Sequence, residues 1–306
     1  MVPFDGTFAD AYVLPLAIAA YDATTPPAGF AKTWEVLADP SQHALLAARV
    51  IEGSTTHMDA YNAMIRQPRK PAAQAHYLAT AVRAGDVDSG PNLHFGWVCA
   101  DTRKNILIVT IRGTEYLAEW LKDFDFIGTP YQPVPGRGTV HQGFQIVYYS
   151  IRAHLLGIIQ EARTAFPALK TILVTGHSLG AAVAAIAAPD LITSAANGLG
   201  PIVYTFAEPR VGHHDYMVFF NSVIDVCYRI TNFWDVVPHL PPLLALYEHE
   251  GQELLIDSGF SLDVAHNHVL ATGYVPGLTK WVQEHPVQAT AHFGSIAIDT
   301  LVGVSP

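Results

Sequence analysis

Five residues, Gly176-His177-Ser178-Leu179-Gly180, set a candidate nucleophile between two glycines. A β-rich apolar run (171–175) precedes them and an alanine-rich stretch (179–188) with helical character follows. A strand that turns directly into a helix holds its serine in strained backbone and exposes Oγ. The flanking glycines are required because side chains there would collide with strand and helix. The N–H of Leu179 then lies at a helix N-terminus, where it can stabilise a developing oxyanion. The chemistry such a serine suits is attack on a carbonyl carbon through a covalent acyl intermediate. Glycine is common enough that the pentapeptide alone is weak evidence. Its place between strand and helix gives it weight.

A second oxyanion donor is expected from a loop after an earlier strand. The run NILIVTIRG ends in Arg112-Gly113-Thr114, and Thr114 is placed to supply a backbone N–H. Leu117, Trp120, Leu121 and Phe124 follow at helical spacing, with Tyr116 beside them. That stripe fits an amphipathic lid over a site, and equally a surface helix packed on the core.

A serine nucleophile needs a base and an acid to orient it. Asp235 follows the strand-like run 224–230, at a strand end where an orienting acid belongs. Asp257 is the runner-up, while Asp225 reads as a strand start and Asp263 lies too near the histidine segment. Fifteen histidines offer bases, of which His266 and His268 (in AHNHVL) and His292 are candidates. His177 reads as a turn-packing residue, and His141 of HQGF as a prop for loops near the site.

These groups require a scaffold. HFGWVCA and NILIVTIRG read as strands joined by the turn 101–104. Residues 143–166 repeat apolar positions at three- and four-residue steps and predict a long helix ending before Pro167. A strand (171–175), a helix (179–188), a strand (202–206), a helix (213–222) and a strand (224–230) follow. Strands alternating with helices imply an α/β fold, a mostly parallel sheet covered on both faces. Residues 10–21 read as helical despite Pro15, and the alanine-rich stretches 42–51 and 72–84 as helices. The expectation is one domain over 1–306, with 1–90 an N-terminal, partly helical embellishment.

Half the residues are hydrophobic and only 14% charged, which describes a folded chain and not a disordered one. A formal charge of −10 without a Lys/Arg run argues against binding nucleic acid or anionic membrane by charge attraction. No stretch is long and apolar enough to predict a transmembrane helix. Cys99 and Cys227 lie in apolar, strand-like surroundings without metal-ligand spacing and read as buried free thiols. No signal-peptide pattern opens the chain, so both a cytoplasmic protein and a secreted one in mature form stay open.

The segments VTIRGT-x5-W-x2-D, VHQGF, VTGHSLGAAVAAIAA, YTFAEPRVG, YRITNFWDVVPHLPP, YEHEGQELLID and NHVLATGYVPGL occur in that order over about 95–280. Together they resemble the class 3, or fungal-type, lipase family. The resemblance implies an α/β-hydrolase fold, hydrolysis of carboxylic esters without cofactor or metal, and a triad in the order Ser178, Asp235, His268. It selects His268 through the N-H-x-L pattern followed by Tyr274. It places Thr114 and Leu179 at the oxyanion positions and a mobile lid over about 115–126, with Tyr116, Leu117, Trp120 and Leu121 toward substrate. Acylglycerols at a lipid–water interface are the implied substrates, and the apolar run 240–246 suggests an acyl pocket. The same scaffold also hosts feruloyl and other aryl-ester esterases. A hydrolase-fold protein without catalysis is the reading from a different class.

Overall fold

The computed structural model describes residues 4–22, 26–27, 29–30, 46–53, 94–113 and 126–286. In chain order they form α1 (Gly6–Phe8), a π-helical turn (Ala9–Val13), α2 (Leu14–Ala19), β1 (Leu46–Glu52), β2 (His94–Asp101), β3 (Ile106–Ile111), β4 (Gly128–Pro130), β5 (Thr139–His141) and α3 (Gln142–Ala165). There follow β6 (Thr171–His177), α4 (Leu179–Ser194), β7 (Gly200–Phe206), β8 (Gly212–His213), α5 (His214–Val223) and β9 (Val226–Asn232). Two 3-10 turns (Val237–His239 and Leu243–Ala245) lead to β10 (Tyr247–Glu248) and β11 (Gln252–Ile256). The last part comprises α6 (Val264–His268), a π turn (Leu270–Tyr274) and α7 (Val275–Glu284).

The central sheet has the order β1-β2-β3-β6-β7-β9-β11. β1, β2 and β3 pair antiparallel, and every pairing from β3 to β11 is parallel. This is the α/β-hydrolase fold expected from the sequence. A small antiparallel sheet, β10-β8-β5-β4, stands beside it. Side chains alternate between the two faces of a strand. In β3, Leu107, Val109 and Ile111 join the core under α3, α4 and α5, whereas Ile106 and Ile108 join the core under the N-terminal helix and α7. Burial on both faces explains why these strands read as continuous apolar runs. Cys99 and Cys227 are buried free thiols.

Two local readings change. The stretch 42–51 is expected to be helical, yet its described part is the edge strand β1, paired residue by residue with β2 from Leu46↔Asp101. Pairing with a neighbouring strand outweighs the helix preference of three alanines. The helix predicted over 179–188 continues through Pro189 to Ser194. Proline cannot donate to the carbonyl four residues earlier. Tyr216 Oη donates to that carbonyl, on Ala185 (3.0 Å), and Tyr131 Oη donates to Ile186 O (2.9 Å). The break is therefore satisfied by tyrosines from neighbouring elements. At the N-terminus the helix does run across Pro15, and the wider π turn just before α2 accommodates the ring. Residues 72–84, read as helical, lie outside the described residues.

Asp190, fully buried in α4, accepts from Tyr148 Oη (2.5 Å), Arg152 Nε (2.6 Å) and Nη2 (3.0 Å), and Ser194 Oγ (2.6 Å). It ties α3 to α4. Removing one partner of such a pair strands the other charge, so Asp190→Ala should destabilise the protein by about 3 kcal/mol. The check is the midpoint of urea unfolding, which should fall without a change in slope.

Candidate active site

Ser178 joins β6 to α4 with φ 58° and ψ −125°, a conformation that side chains rarely adopt. The surrounding backbone enforces it. A Cβ on Gly176 would lie 2.4 Å from Gly180 O, and one on Gly180 would lie 2.2 Å from Ile111 O. The two glycines thus let α4 start directly against β6 and β3. Ser178 N donates to Phe206 O (3.0 Å), which fixes the turn to β7. Ser178 is fully buried, and its Oγ makes no hydrogen bond among the described residues. Leu179 opens α4, where an N–H has no acceptor within the helix.

His268 closes α6 and is 3% exposed, whereas His266 points to solvent. His268 Nδ1 donates to Asp235 Oδ2 (2.8 Å). Asp235 stands in the loop after β9 and accepts two further hydrogen bonds, from Tyr274 Oη to Oδ2 (2.7 Å) and from Val237 N to Oδ1 (3.0 Å). Burial first, and then the neighbouring Asp235 charge, push the Tyr274 phenol well above its ordinary range, so it stays a donor. Asn232, at the end of β9, donates to Asn267 O (2.8 Å) and so ties the histidine segment to the sheet. The rival carboxylates face elsewhere. Asp225 is exposed, Asp257 accepts from Gly259 N (2.9 Å), and Asp263 caps α6 through Ala265 N (2.9 Å).

His177 is more than a packing residue. Its Nε2 donates to His268 O (2.9 Å), a carbonyl that can only accept, so in the neutral ring Nδ1 is an acceptor. Tyr21 Oη donates to that Nδ1 (2.6 Å) and itself accepts from Gly113 N (3.1 Å). One chain of hydrogen bonds therefore links the loop after β3, the N-terminal helix, the Ser178 turn and the His268 segment. With both ring nitrogens committed, His177 has no free nitrogen to serve as a base. Tyr21 carries no sequence signal, since it lies 156 positions from its partner. Tyr274 stands in the N-H-x-L segment and could have been found there. His141 packs against Phe144 with ring centroids 4.2 Å apart, and its N donates to Val211 O (2.8 Å).

Thr114, Tyr116, Leu117, Trp120, Leu121 and His292 lie outside the described residues. Within the run 240–246, Leu240 packs against the core, and Leu243 and Leu246 line a surface hollow with His213, His214, Asp215, Tyr247 and Glu248. Leu243, Leu244 and Leu246 are 67%, 97% and 69% exposed, on a turn that projects from the sheet edge.

The profile of the family described as Lipase (class 3) matches residues 108–245. Over these residues the chain is similar to the class 3 lipase family. A secreted mono- and diacylglycerol lipase of Fusarium solani is 34% identical over 163 residues, 53% of this chain and 47% of that protein. A lipase of Rhizomucor miehei is 37% identical over 162 residues, 51% of this chain and 43% of its own. The chain thus spans about half the length of the curated relatives it matches. Among solved structures, a triacylglycerol lipase whose catalytic centre is formed by a serine protease triad superposes with a TM-score of 0.55. It is 25% identical, over 80% of this chain and 78% of its own. Tyr21, His268 and Tyr274 fall outside the segment matched by the class 3 lipase profile.

Burial, and then the nearby His268, hold the His177 imidazole well below its ordinary pKa of 6.5. A folded-state value that is depressed means the unfolded chain binds a proton the folded chain refuses. This contribution to stability is complete above pH 6.5 and declines as pH falls, by up to about 1.4 kcal/mol per unit. Unfolding free energies measured from pH 7.5 to 5.5 should fall less steeply in His177→Asn than in wild type. Equal slopes would place the proton uptake on other groups.

Proposed function

We propose that the protein is a serine carboxylic ester hydrolase, with Ser178 as nucleophile, His268 as base and Asp235 as its orienting acid. The observation that carries this reading is the buried 2.8 Å contact from His268 Nδ1 to Asp235 Oδ2. It leaves Nε2 of His268 as the basic nitrogen, with Ser178 held at the strand-to-helix turn next to His177, whose ring centroid lies 4.7 Å from that of His268.

His268 Nε2 takes the proton of Ser178 Oγ as that oxygen attacks the ester carbonyl. The N–H groups of Leu179 and Thr114 receive the negative charge on the former carbonyl oxygen, each worth about 3–4 kcal/mol. Collapse expels the alcohol, protonated by His268, and water releases the acid by the same steps in reverse. Asp235 stabilises the imidazolium that forms twice in this cycle. His177, neutral and fully engaged, adds no opposing charge. Reaction through these groups calls for no cofactor.

Acylglycerols are the substrate class this reading favours. Phe233, Val236, Phe260, Leu262 and Val269 are all at least 42% exposed, on the loops that carry Asp235 and His268. Apolar side chains gathered around a buried polar site suit a substrate that arrives from an oily surface. The segment 115–126 would act as the lid. A secreted setting is supported by the Fusarium solani relative, which is itself secreted.

Initial rates on p-nitrophenyl esters from acetate to palmitate test the reading. Wild type should hydrolyse them with a peak at one chain length, and Ser178→Ala and His268→Ala should each lose about four or more orders of magnitude in kcat. Full retention of rate in His268→Ala would move the base elsewhere. Inertness of wild type toward both these esters and a serine-directed phosphonate would leave a ligand-binding protein without catalysis.

Tyr274→Phe removes one hydrogen bond to a charged acceptor, worth about 1.5–3 kcal/mol. It should lower kcat about tenfold or more while leaving the folded state intact by circular dichroism. An unchanged kcat would mean Val237 N alone suffices to orient Asp235.

A further inference from the structure

Outside the Ser178 site, two glutamates and a histidine meet in the interior. Glu208 lies just beyond β7 and Glu250 between β10 and β11, and both are fully buried. None of their four carboxylate oxygens has a hydrogen-bond partner. His249 Nε2 donates to Pro238 O (2.8 Å), which leaves Nδ1 as the bare lone pair, and this atom too is buried and unpartnered. One oxygen of each glutamate and one nitrogen of His249 lie within 4.8 Å of one another.

The donors nearby do not serve these atoms. Arg229 spends its Nε on Glu250 O (2.6 Å), and its Nη1 completes no hydrogen bond. Burial and the neighbouring Glu250 carboxylate push the Glu208 carboxyl well above its ordinary range, and the Arg229 charge offsets this only in part. The hydroxyl of Thr205 likewise stays unpartnered. Five buried acceptor atoms therefore lack donors, and one from each residue lies close to the other two, an arrangement unfavourable to any ionised group unless a cation joins it. A single proton shared by the carboxyls serves one pair of oxygens and leaves the imidazole lone pair facing acceptors. A metal ion accepts an electron pair from all three groups at once.

We propose that Glu208, His249 and Glu250 bind one divalent transition-metal ion of the zinc type. The donor set is nitrogen and oxygen without sulfur, which suits bonds of about 2.0–2.2 Å. A tetrahedral ion at that distance sets its ligands about 3.5 Å apart, within reach of a small side-chain adjustment. The hydrogen bond from the far nitrogen of His249 to a backbone carbonyl is the support that orients a metal-binding imidazole. The ion joins the end of β7 to the segment between Pro238 and Glu250, which follows directly on Asp235. Its role is to brace that segment and not to touch substrate, so it is independent of whether Ser178 is a nucleophile.

The test uses the full chain purified without metal-affinity resin or chelator. Metal content is read by mass spectrometry, and thermal unfolding is followed with added ZnCl2 and after dialysis against EDTA. The expected result is one equivalent of metal per chain and a Tm about 5 °C higher with zinc than after chelation. Glu250→Gln and Glu208→Gln, which keep the side-chain shape, should lose both. A wild-type Tm indifferent to zinc and to EDTA overturns the proposal and assigns the cluster to a shared proton. So does a Glu250→Gln protein that binds as much zinc as wild type, since the ion would then sit on other histidines. Should neither variant fold, the wild-type metal content and Tm decide by themselves.

Discussion

The contact on which the molecule depends is the approach of α4 to the sheet. Gly180 lies where any side chain would strike the backbone of Ile111 and Arg112, and Gly176 lies where one would strike Gly180. Because both are bare, the helix begins immediately at the end of β6, and Ser178 has no room for ordinary backbone angles. The strain at one residue is sustained by burial along the whole of α4, whose residues from Leu179 to Leu191 are buried without exception. Small side chains allow that closeness. Where Pro189 interrupts the helical ladder, two tyrosines from other elements take over the freed carbonyls.

The polar part of the site follows a consistent logic of satisfied groups. Asp235 receives three donors in a buried position. His177 is fully engaged as a neutral ring between Tyr21 and the His268 carbonyl. Ser178 Oγ, the atom that the proposed reaction uses, has no hydrogen-bond partner among the described residues. The Glu208–His249–Glu250 cluster differs from this site in holding acceptors in excess of donors.

Much of this was legible in the residues. The turn around Ser178 is readable because glycine spacing, strand and helix lie within about twenty positions. The α/β order follows from local periodicity, and Asp235 from its place after a strand. The alanines of β1 read as helix because their partner strand lies some fifty residues away. The helix seemed to stop before Pro189 because the tyrosines that repair the break are distant in the chain.

The sequence alone determined the fold class, the nucleophile turn and the set of candidate acids and bases, since each rests on spacing within a short segment. Only the tertiary structure paired His268 with Asp235 and turned His266 and the competing carboxylates elsewhere. Only it brought Tyr21 to His177, Tyr274 to Asp235, and His249 to two glutamates. The reason is physical: a hydrogen bond or a ligand set needs atoms within about 3 Å, and residues far apart in the chain reach that distance only when the sheet and its two layers of helices bring them there.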